Sequence, residues 1–417
     1  MTNSKHLLLV ADQNSYRIAP YLAAAKKLGL EVTIASQGKH SLITEIANGI
    51  HIDFEQPAAA VQQILQASQT TPFAGVLGSD DQTVELAALV AQALGLPHNA
   101  PAAARLSHRK DMGRAQLGLE GCPVPLNCLL DLTRPIHPQM AGLPWPCVLK
   151  PLNMSASRGV IRVDNETQFL AACEQLRPIL ATAQDEFEQT HALIEAYIDG
   201  IEIAYEGYLL NGQLNTITIF DKPDPLVGPY FEETIYVTPS RLSDALQQQI
   251  KTVLQQACKA YGLVTGAVHG ECRIDPQEKV WILEVASRTI GGDCGRMLDH
   301  EGFSLEELAI SLAINQPLAV TMPKQARGVM MIPIRQSGLL KSVEGLEAAR
   351  NVPLIDKVQI IIGEGHKLTP LPDGNQYSGY IFASGDTPEQ VTAAIREAHA
   401  KLEFKTAPIF PLMQSSA

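Results

Sequence analysis

Several features are missing from this 417-residue chain, and each absence argues against a class of protein. Basic residues are fewer than acidic ones, 32 against 44, and the net charge of −12 argues against general affinity for nucleic acid or anionic membranes. No uninterrupted apolar stretch approaches membrane-spanning length. The seven cysteines include no CxxC pair and show no framework spacing, which is typical of free thiols in a reducing compartment.

The composition that remains is that of an ordinary globular protein, with 46% hydrophobic and 18% charged residues. A chain of this length has room for about two to four domains and a substantial core. The first apolar run, in MTNSKHLLLVAD, breaks at Asp12, so we interpret it as a strand rather than a signal peptide. We therefore expect a cytoplasmic protein without nucleic-acid or membrane partners, and a homodimer is the default oligomer.

The first hundred residues alternate between apolar runs and helical spacing. Strands are predicted at 6–11, 31–35, 50–54 and 73–77, with helices at 17–28, 58–68 and 83–94. This alternation predicts a doubly wound α/β domain with a ligand crevice at the strand carboxyl ends, near Asp12-Gln13-Asn14 and Ser79-Asp80-Asp81. The second of these also fits a plain helix cap. No GxGxxG or GxxxxGK[ST] follows the first strand, so neither a Rossmann nor a P-loop phosphate site is supported.

A lysine at the end of a strand marks the middle of the chain. Lys150 ends the run 147–151, and the small-residue loop Ser155–Gly159 follows before another strand. Such a loop between antiparallel strands offers backbone N–H groups to phosphates, and an ordinary hairpin loop is the alternative. Further along, Glu195 and Glu202 flank an interruption between two more predicted strands. Strands are also predicted at 214–220 and 231–237, and a long amphipathic helix at 242–261 is predicted to begin at the Pro239-Ser240 pair.

The stretch 266–295 reads as two apolar strands joined by a turn at 275–278, and each strand carries one glutamate, Glu271 or Glu284. In adjacent antiparallel strands these carboxylates lie side by side on one face. Like charges there repel unless a cation sits between them, so the pattern predicts a metal site. A solvated hairpin is the alternative, and the apolar neighbours of Glu284 argue against it. After residue 323, strands at 328–334, 354–362 and 377–383 and a helix at 388–402 predict a small α+β cap.

Taken in order, Lys110, Lys150 with its loop, Glu195 with Glu202, and Glu271 with Glu284 and Arg288 resemble the ATP-grasp superfamily. The resemblance covers roughly half of the chain. It implies a multidomain protein of mixed α/β and α+β class. Residues 1–104 would form a doubly wound pre-ATP-grasp domain, 105–321 a two-lobed ATP-grasp domain with the nucleotide and magnesium sites, and 322–417 an α+β C-terminal domain.

The resemblance also assigns roles around ATP. Lysines would contact the phosphates, Ser155–Gly159 would cover them, Glu195 would take the adenine amino group and Glu202 the ribose hydroxyls. Backbone groups of Tyr197 and Ile198 would bind the adenine ring. The implied ATP-binding residues are Lys110, Lys150, Ser155, Ser157, Gly159, Glu195, Tyr197, Ile198, Glu202 and Lys222. For Lys222, a surface strand lysine is the alternative.

Glu271 and Glu284 would hold one or two Mg²⁺ ions, with Mn²⁺ as a substitute, because carboxylate oxygens suit hard cations. Ala286 stands where many members of the family carry an asparagine ligand. An alanine cannot bind metal, so a second ion would rely on Glu284 alone, on Ser287 or on water.

The implied catalytic residues are Arg288, Lys150 and His269. The fork of Arg288 suits an oxyanion, with a structural salt bridge as the alternative. His269 alternates onto the strand face of Glu271, and a buried core histidine is its alternative. The implied substrate residues are Glu232, Glu233, Arg288, Gly291, Gly292 and Arg335.

The segment 289–293, Thr-Ile-Gly-Gly-Asp, looks closer to the L-amino-acid ligase branch than to biotin carboxylases or purine-pathway members. The resemblance thus implies an ATP-dependent carboxylate–amine ligase that forms an acyl phosphate and joins it to an amine, with small-molecule acid and amine substrates. The alternatives are a carboxylating or formylating ligase and a non-catalytic nucleotide-binding regulator.

Overall fold

The structure is a computed structural model that describes residues 5–13, 15–37 and 48–409. The chain divides into two compact units. Unit 1 comprises Met1–Pro125, Ile203–Ile219 and Leu242–Pro323, and unit 2 comprises Leu126–Glu202, Phe220–Arg241 and Lys324–Ala417. The domain boundaries that the sequence places after residues 104 and 321 stay predictions.

Helices and strands alternate along most of the described chain. The helices are α1 (Ile18–Lys27), α2 (Pro57–Ser68), α3 (Val84–Leu94), α4 (Pro101–Leu106), α5 (Lys110–Leu119), α6 (Ile136–Gln139), α7 (Glu166–Leu180), α8 (Glu186–Thr190), α9 (Asp244–Tyr261), α10 (Leu305–Ala313), α11 (Leu346–Arg350) and α12 (Pro388–Ala400). Among the described residues, no helix combines the length and the apolar content needed to cross a membrane.

The strands are β1 (His6–Val10), β2 (Glu31–Ser36), β3 (Asn48–His51), β4 (Phe73–Gly78), β5 (Asn127–Asp131), β6 (Cys147–Pro151), β7 (Ile161–Val163), β8 (His191–Ala196), β9 (Ile201–Leu210), β10 (Gln213–Asp221), β11 (Ile235–Thr238), β12 (Gly266–Ile274), β13 (Val280–Ala286), β14 (Ala326–Ile332), β15 (Gly338–Glu344), β16 (Ile355–Ile360), β17 (Lys367–Leu368), β18 (Gly379–Gly385) and β19 (Glu403–Ala407). A 3₁₀ turn spans Cys294–Leu298. All seven cysteines lie in this described part of the chain and are free thiols, as expected.

In unit 1, a parallel sheet of order β3-β2-β1-β4 confirms the predicted doubly wound region. Leu7 and Leu9 pack with α1 and α10 on one face, whereas Leu8 and Val10 pack with α2 and α3 on the other. Because both faces are covered, β1 reads as a continuous apolar run rather than an alternating one. Residue Asn14 of the predicted crevice lies outside the described residues.

The predicted helix cap at Ser79-Asp80-Asp81 is wrong. The N-cap of α3 is Thr83, and its hydroxyl bonds the backbone of Asp80 instead of a free helix N–H. Ser79 continues the sheet register by donating its N–H to Val10 O at 3.0 Å. The carboxylate of Asp81 is therefore available to another partner.

An antiparallel layer of order β13-β12-β9-β10 forms the rest of unit 1, and α9 packs against it. A Cβ at Gly270 would lie 2.9 Å from the methyls of Leu254, so helix and strand approach closely there. The helix begins two residues later than predicted. Its N-cap is Ser243, whose hydroxyl accepts from Leu246 N at 3.3 Å, and not the Pro239-Ser240 pair.

Unit 2 contains an antiparallel sheet of order β5-β8-β6-β7 and a second layer of order β11-β14-β18-β16. Helix α7 packs on the first through Phe169, and α12 packs on the second, which confirms a C-terminal α+β fold. The small sheet β17-β15-β19 has no counterpart in the sequence prediction. The predicted strand at 231–237 is reduced to β11, because Leu226 and Phe231 pack as a loop against Val148.

Two glycines with the same backbone conformation test the packing of the C-terminal region. Gly345 has φ 81°, and a Cβ there would lie 1.8 Å from Lys401 O, whereas Gly365 has φ 82° and open space around it. We expect Gly345→Ala to lower the free energy of unfolding by about 3 kcal/mol or more, and Gly365→Ala by about 1 kcal/mol. Urea unfolding measures both, and equal losses would contradict the predicted clash.

Candidate active site

The hairpin β12–β13 places the two glutamates as the sequence predicts. Glu271 and Glu284 are direct cross-strand partners, and a register shift follows immediately after Glu271. The turn is closed by Asp275, whose carboxylate accepts from the backbone of the turn and, at 2.8 Å, from the indole of Trp281. The expectation that both carboxylates lie side by side is confirmed.

Three cationic side chains of unit 1 surround this pair. Lys110 Nζ lies 3.8 Å and Arg288 Nη2 3.6 Å from carboxylate oxygens of Glu284. On the other strand, His269 Nε2 lies 3.9 Å from Glu271 Oε1. These nearby cations reduce the electrostatic repulsion between the two carboxylates. The carboxylate side chains are 20% and 26% exposed, and hard oxygen donors of this kind fit Mg²⁺.

Arg288 is tied to the loop after β4. Its Nε and Nη2 atoms each lie 2.7 Å from one oxygen of Asp81, a bidentate pair, and Nη1 donates to Thr289 O at 3.0 Å. The salt bridge that was the alternative for Arg288 is thus present. Its catalytic role stays a prediction. The sequence predicts Asp81 only as part of the crevice or of a helix cap. Its pairing with Arg288 is not predicted, because the two residues are 207 positions apart.

The pKa values of the neighbouring carboxyls Asp80 and Asp81 shift in opposite directions. Burial opposes ionisation of Asp81, but the guanidinium of Arg288 outweighs it and lowers the pKa of Asp81. Burial likewise opposes the charge on Arg288, and Asp81 outweighs it and raises the pKa of Arg288. Burial raises the pKa of Asp80, although the hydroxyl of Ser79, which donates to its carboxylate at 2.7 Å, opposes the shift.

The residues after Glu284 are committed to packing. Ala286 is fully buried and stands opposite His269 in the hairpin. The hydroxyl of Ser287 lies 2.8 Å from that of Ser107, which ends α4. Of the three ways to complete a second metal site, the one through Ser287 would use a hydroxyl that also bonds Ser107.

His269 is buried and paired with a glutamate that the sequence reading missed. Its Nδ1 lies 3.0 Å from Glu206 Oε2, and Glu206 is fully buried in β9. Burial opposes the charged ring, but the hydrogen bond to Glu206 and the nearby carboxylate of Glu271 outweigh it and raise the pKa of His269 to about 9. Glu206 is an acid inside the apolar run of β9, and the same pattern in β12 predicts the role of Glu271.

The segment after Arg288 is held by hydrogen bonds from three directions. The guanidinium of Arg17, which is buried, donates to Thr289 Oγ1 at 2.8 Å and to Ile290 O at 2.9 Å. The amide of Ile290 in turn donates to Glu206. The amide of Gly292 donates to the Tyr16 hydroxyl at 2.8 Å. Arg17 and Tyr16 were absent from the predicted site, since sequence spacing does not show that they reach residues 289–292.

In unit 2, Lys150, which is predicted to contact phosphate, pairs with Glu195, which is predicted to contact adenine. Lys150 Nζ lies 2.5 Å from Glu195 Oε2, and the Glu195 side chain is 2% exposed. Both side chains project from neighbouring antiparallel strands, β6 and β8. Directly after β8, Tyr197 donates its N–H to Pro146 O at 3.0 Å, so this amide is already used within the fold. Ile198 follows it in the chain.

Lys222 is neither a surface residue nor part of a strand, because β10 ends at Asp221 and its side chain is only 3% exposed. Its Nζ lies 2.8 Å from Glu202 Oε1 and bonds Glu233. The ammonium also lies 5.1 Å from the ring centre of Tyr236, a cation–π distance. The alternative of a surface strand lysine is therefore wrong.

The loop Ser155–Gly159 differs from an ordinary hairpin loop. Ala156 and Ser157 both have φ 55°, an uncommon conformation for non-glycine residues. Gly159 has φ 72°, and its amide donates to Pro372 O at 2.9 Å. Backbone strain of this kind persists where surrounding contacts hold it and is concentrated at functional sites. Ser155, Ser157 and Gly159 thus sit on an anchored loop next to Lys150.

The remaining predicted substrate residues belong partly to this unit. Burial raises the pKa of Glu232, and the positive charge of Arg335 opposes that shift. Arg335 is exposed, whereas Glu233 belongs to the Lys222 group. Gly291 and Gly292 lie in the clamped segment of unit 1.

The adjacent aspartates provide a matched test of the Arg288 pair. We expect Asp81→Asn to lower the free energy of unfolding at pH 7 by about 3 kcal/mol, because it leaves a buried guanidinium without its ionic partner. Asp80→Asn should be neutral or stabilising, because it removes a charge that burial disfavours. Urea unfolding of both variants measures this difference.

The pH dependence carries the same signs. The contribution of Asp81 is present above the unfolded carboxyl pKa of about 4 and is lost as the pH falls through its lower folded value. That of Asp80 is present below the unfolded value and is lost as the pH rises. Equal effects of both substitutions at pH 7 would contradict the assigned pairing.

Comparison with known families agrees with this geometry. Residues 143–297 match the ATP-grasp domain family. Residues 22–98 match the ATP-grasp N-terminal domain, and residues 330–407 match the L-amino acid ligase C-terminal domain 2. The three matches follow one another along the chain in the order expected from the sequence.

Similar proteins are ligases. Alanine–anticapsin ligase of Bacillus amyloliquefaciens is 24% identical over 257 residues, 58% of this chain and 54% of that protein. Carnosine synthase 1 of Gallus gallus is 28% identical over 320 residues, 70% of this chain and 34% of that protein. The chain thus spans about half the length of the first relative and about a third of the second.

A solved structure shares the whole fold. The crystal structure of L-amino acid ligase from Bacillus licheniformis superposes with a TM-score of 0.80 at 24% identity, covering 98% of this chain and 100% of that one. The paired glutamates of the β12–β13 hairpin lie inside the matched ATP-grasp region. The chain therefore carries an ATP-grasp domain at residues 143–297, preceded by an ATP-grasp N-terminal domain at 22–98 and followed by a C-terminal domain of the L-amino acid ligase type at 330–407.

Proposed function

We propose that the protein is an ADP-forming carboxylate–amine ligase that activates an amino-acid carboxylate as an acyl phosphate and joins it to an amine. The observation that carries the proposal is the carboxylate pair Glu271–Glu284, flanked by Lys110, Arg288 and His269 within an ATP-grasp domain. The relatives named above are ligases that join an amino acid to an amine, and this supports the same class of reaction here.

ATP is the proposed phosphoryl donor. In unit 2, Lys150 and Lys222 would bind phosphate oxygens, the anchored loop Ser155–Gly159 would cover them, and Glu195 and Glu202 would bind the adenine and ribose. Each lysine already faces a carboxylate, at 2.5 Å and 2.8 Å. These ion pairs hold the ammonium groups in place before the nucleotide arrives, and preorganised charge is what phosphoryl transfer requires.

Glu271 and Glu284 fit a hard divalent cation, because they are carboxylates that stand directly opposite each other on neighbouring strands. Mg²⁺, or Mn²⁺ in its place, would supply charge neutralisation for the polyphosphate when bound. Glu284 also needs the cations of Lys110 and Arg288 nearby, since two opposed carboxylates repel each other when no ion is present.

The proposed reaction has two steps. A carboxylate oxygen attacks the γ-phosphorus of ATP, and the bond to the β-phosphate oxygen breaks, which yields an acyl phosphate and ADP. An amine nitrogen then attacks the acyl carbon, loses a proton and expels phosphate through a tetrahedral intermediate. Asp81 holds the Nε–Nη2 edge of Arg288, and the Nη hydrogens that do not face Asp81 would donate to the oxyanion.

The substrates are proposed to be small: an amino acid as the acid and a second amine. Arg335 and Glu232 offer opposite charges for a zwitterion, and Gly291 and Gly292 would let a substrate approach the backbone. A homodimer is the proposed assembly.

Amine-dependent ADP release tests the proposed reaction. We expect the protein with ATP and Mg²⁺ to form ADP and phosphate only when an amino acid and an amine are both present, and to form the amide product in equal amount. Coupled ADP detection over an amino-acid panel, with mass spectrometry of products, measures this. ADP release that requires bicarbonate or formate instead would contradict the ligase proposal, and ATP binding without turnover would indicate a regulator.

Glu284→Gln tests the metal assignment. The substitution removes one carboxylate charge from the pair, so we expect kcat to fall by about 100-fold or more. Glu278→Gln, an exposed glutamate in the turn of the same hairpin, is the matched control and should retain activity. Chelation should abolish turnover, and Mn²⁺ should restore it. Near-normal kcat in Glu284→Gln would refute the assignment.

A further inference from the structure

Glu206 is a buried carboxylate that none of the proposed reaction steps uses. It lies in the middle of β9, its relative exposure is 0%, and it is surrounded by apolar strand neighbours. Ionisable groups in such a position cost free energy unless they are hydrogen-bonded. Glu206 therefore needs hydrogen-bond partners to remain in the core.

Its partners come from two different parts of unit 1. His269 on β12 contributes Nδ1 at 3.0 Å to Oε2. Ile290, two residues after Arg288, donates its amide to both oxygens, at 3.1 and 3.2 Å. One side chain thus connects the strand that carries Glu271 with the segment that follows the metal-site hairpin.

The same segment is held from its other polar side by Arg17. That guanidinium donates to the carbonyl oxygens of Thr289 and Ile290, at 3.2 and 2.9 Å. Around Ile290, the amide therefore binds a carboxylate while the carbonyls bind a guanidinium. A backbone segment outside any helix or strand is fixed in this way by two side chains rather than by a ladder.

We propose that Glu206 is a positioning residue, which holds the His269 ring and the Ile290 amide together so that residues 288–292 keep one conformation beside the paired glutamates. The kinetic consequence rests on the proposed ligase function, whereas the conformational one does not. A misplacement of about 1 Å in a substrate-binding segment can cost on the order of 100-fold in rate.

The chemistry of the side chain makes the proposal specific. Glutamine at position 206 keeps an amide oxygen that accepts from Ile290 and a second polar atom for His269. Alanine leaves both the Ile290 amide and the His269 ring without this acceptor. The two variants therefore differ in hydrogen bonding more than in backbone preference.

Hydrogen–deuterium exchange of the full-length protein tests the conformational part without any substrate. We expect Glu206→Ala to speed exchange of the peptide covering 288–292 by at least about tenfold, while peptides from α9 stay unchanged. Glu206→Gln should stay within about threefold of the parent protein. Glu307→Gln is the matched control, because Glu307 is also a buried glutamate of unit 1 but pairs with Lys27, the last residue of α1.

Steady-state kinetics test the functional part. We expect Glu206→Ala to lower kcat by about 100-fold with KM for ATP within about threefold, and Glu206→Gln to recover at least about tenfold of that loss. Exchange that is unchanged at 288–292, or raised equally throughout unit 1 with no recovery in Glu206→Gln, would overturn the proposal. Absence of turnover in the parent protein would refute the ligase function alone, since the exchange result stands independently.

Discussion

The repulsion between Glu271 and Glu284 is the constraint on which the rest of unit 1 depends. Their direct opposition in the β12–β13 hairpin concentrates two negative charges on one face. Lys110, His269 and Arg288 all lie within 4 Å of these carboxylates. The positive charges of these side chains offset the repulsion between the two carboxylates.

Two of the three surrounding cations, Arg288 and His269, are themselves held by a second carboxylate. Asp81 binds Arg288 through two hydrogen bonds, and Glu206 binds His269. These outer acids come from the parallel sheet region and from β9, so elements far apart in the chain fix the orientation of groups around one hairpin. Unit 2 repeats the device, since Lys150 pairs with Glu195 and Lys222 pairs with Glu202. Preorganised charge of this kind suits phosphoryl transfer.

The sequence was informative wherever a residue type departed from its local pattern. Glu271 and Glu284 were identified as carboxylates in apolar strands. Lys150 was identified as a lysine at a strand end, and the Ser155–Gly159 loop as a run of small residues. The same rule applied to β9 would have disclosed Glu206. It would not have disclosed Arg17 or Tyr16, because nothing in the local pattern around them differs from an ordinary helix start.

The sequence by itself determined the alternation of β1 to α3, the hairpin with its paired glutamates, and the presence of an ATP-grasp domain. Periodicity and turn chemistry act over a few residues, so they survive in any local reading. Only the tertiary structure decided that Asp81 binds Arg288 rather than capping α3, and that Lys222 is buried. It also decided that 231–234 leaves the strand. Those outcomes depend on partners tens to hundreds of residues away, whose approach is set by the packing of whole sheets and helices.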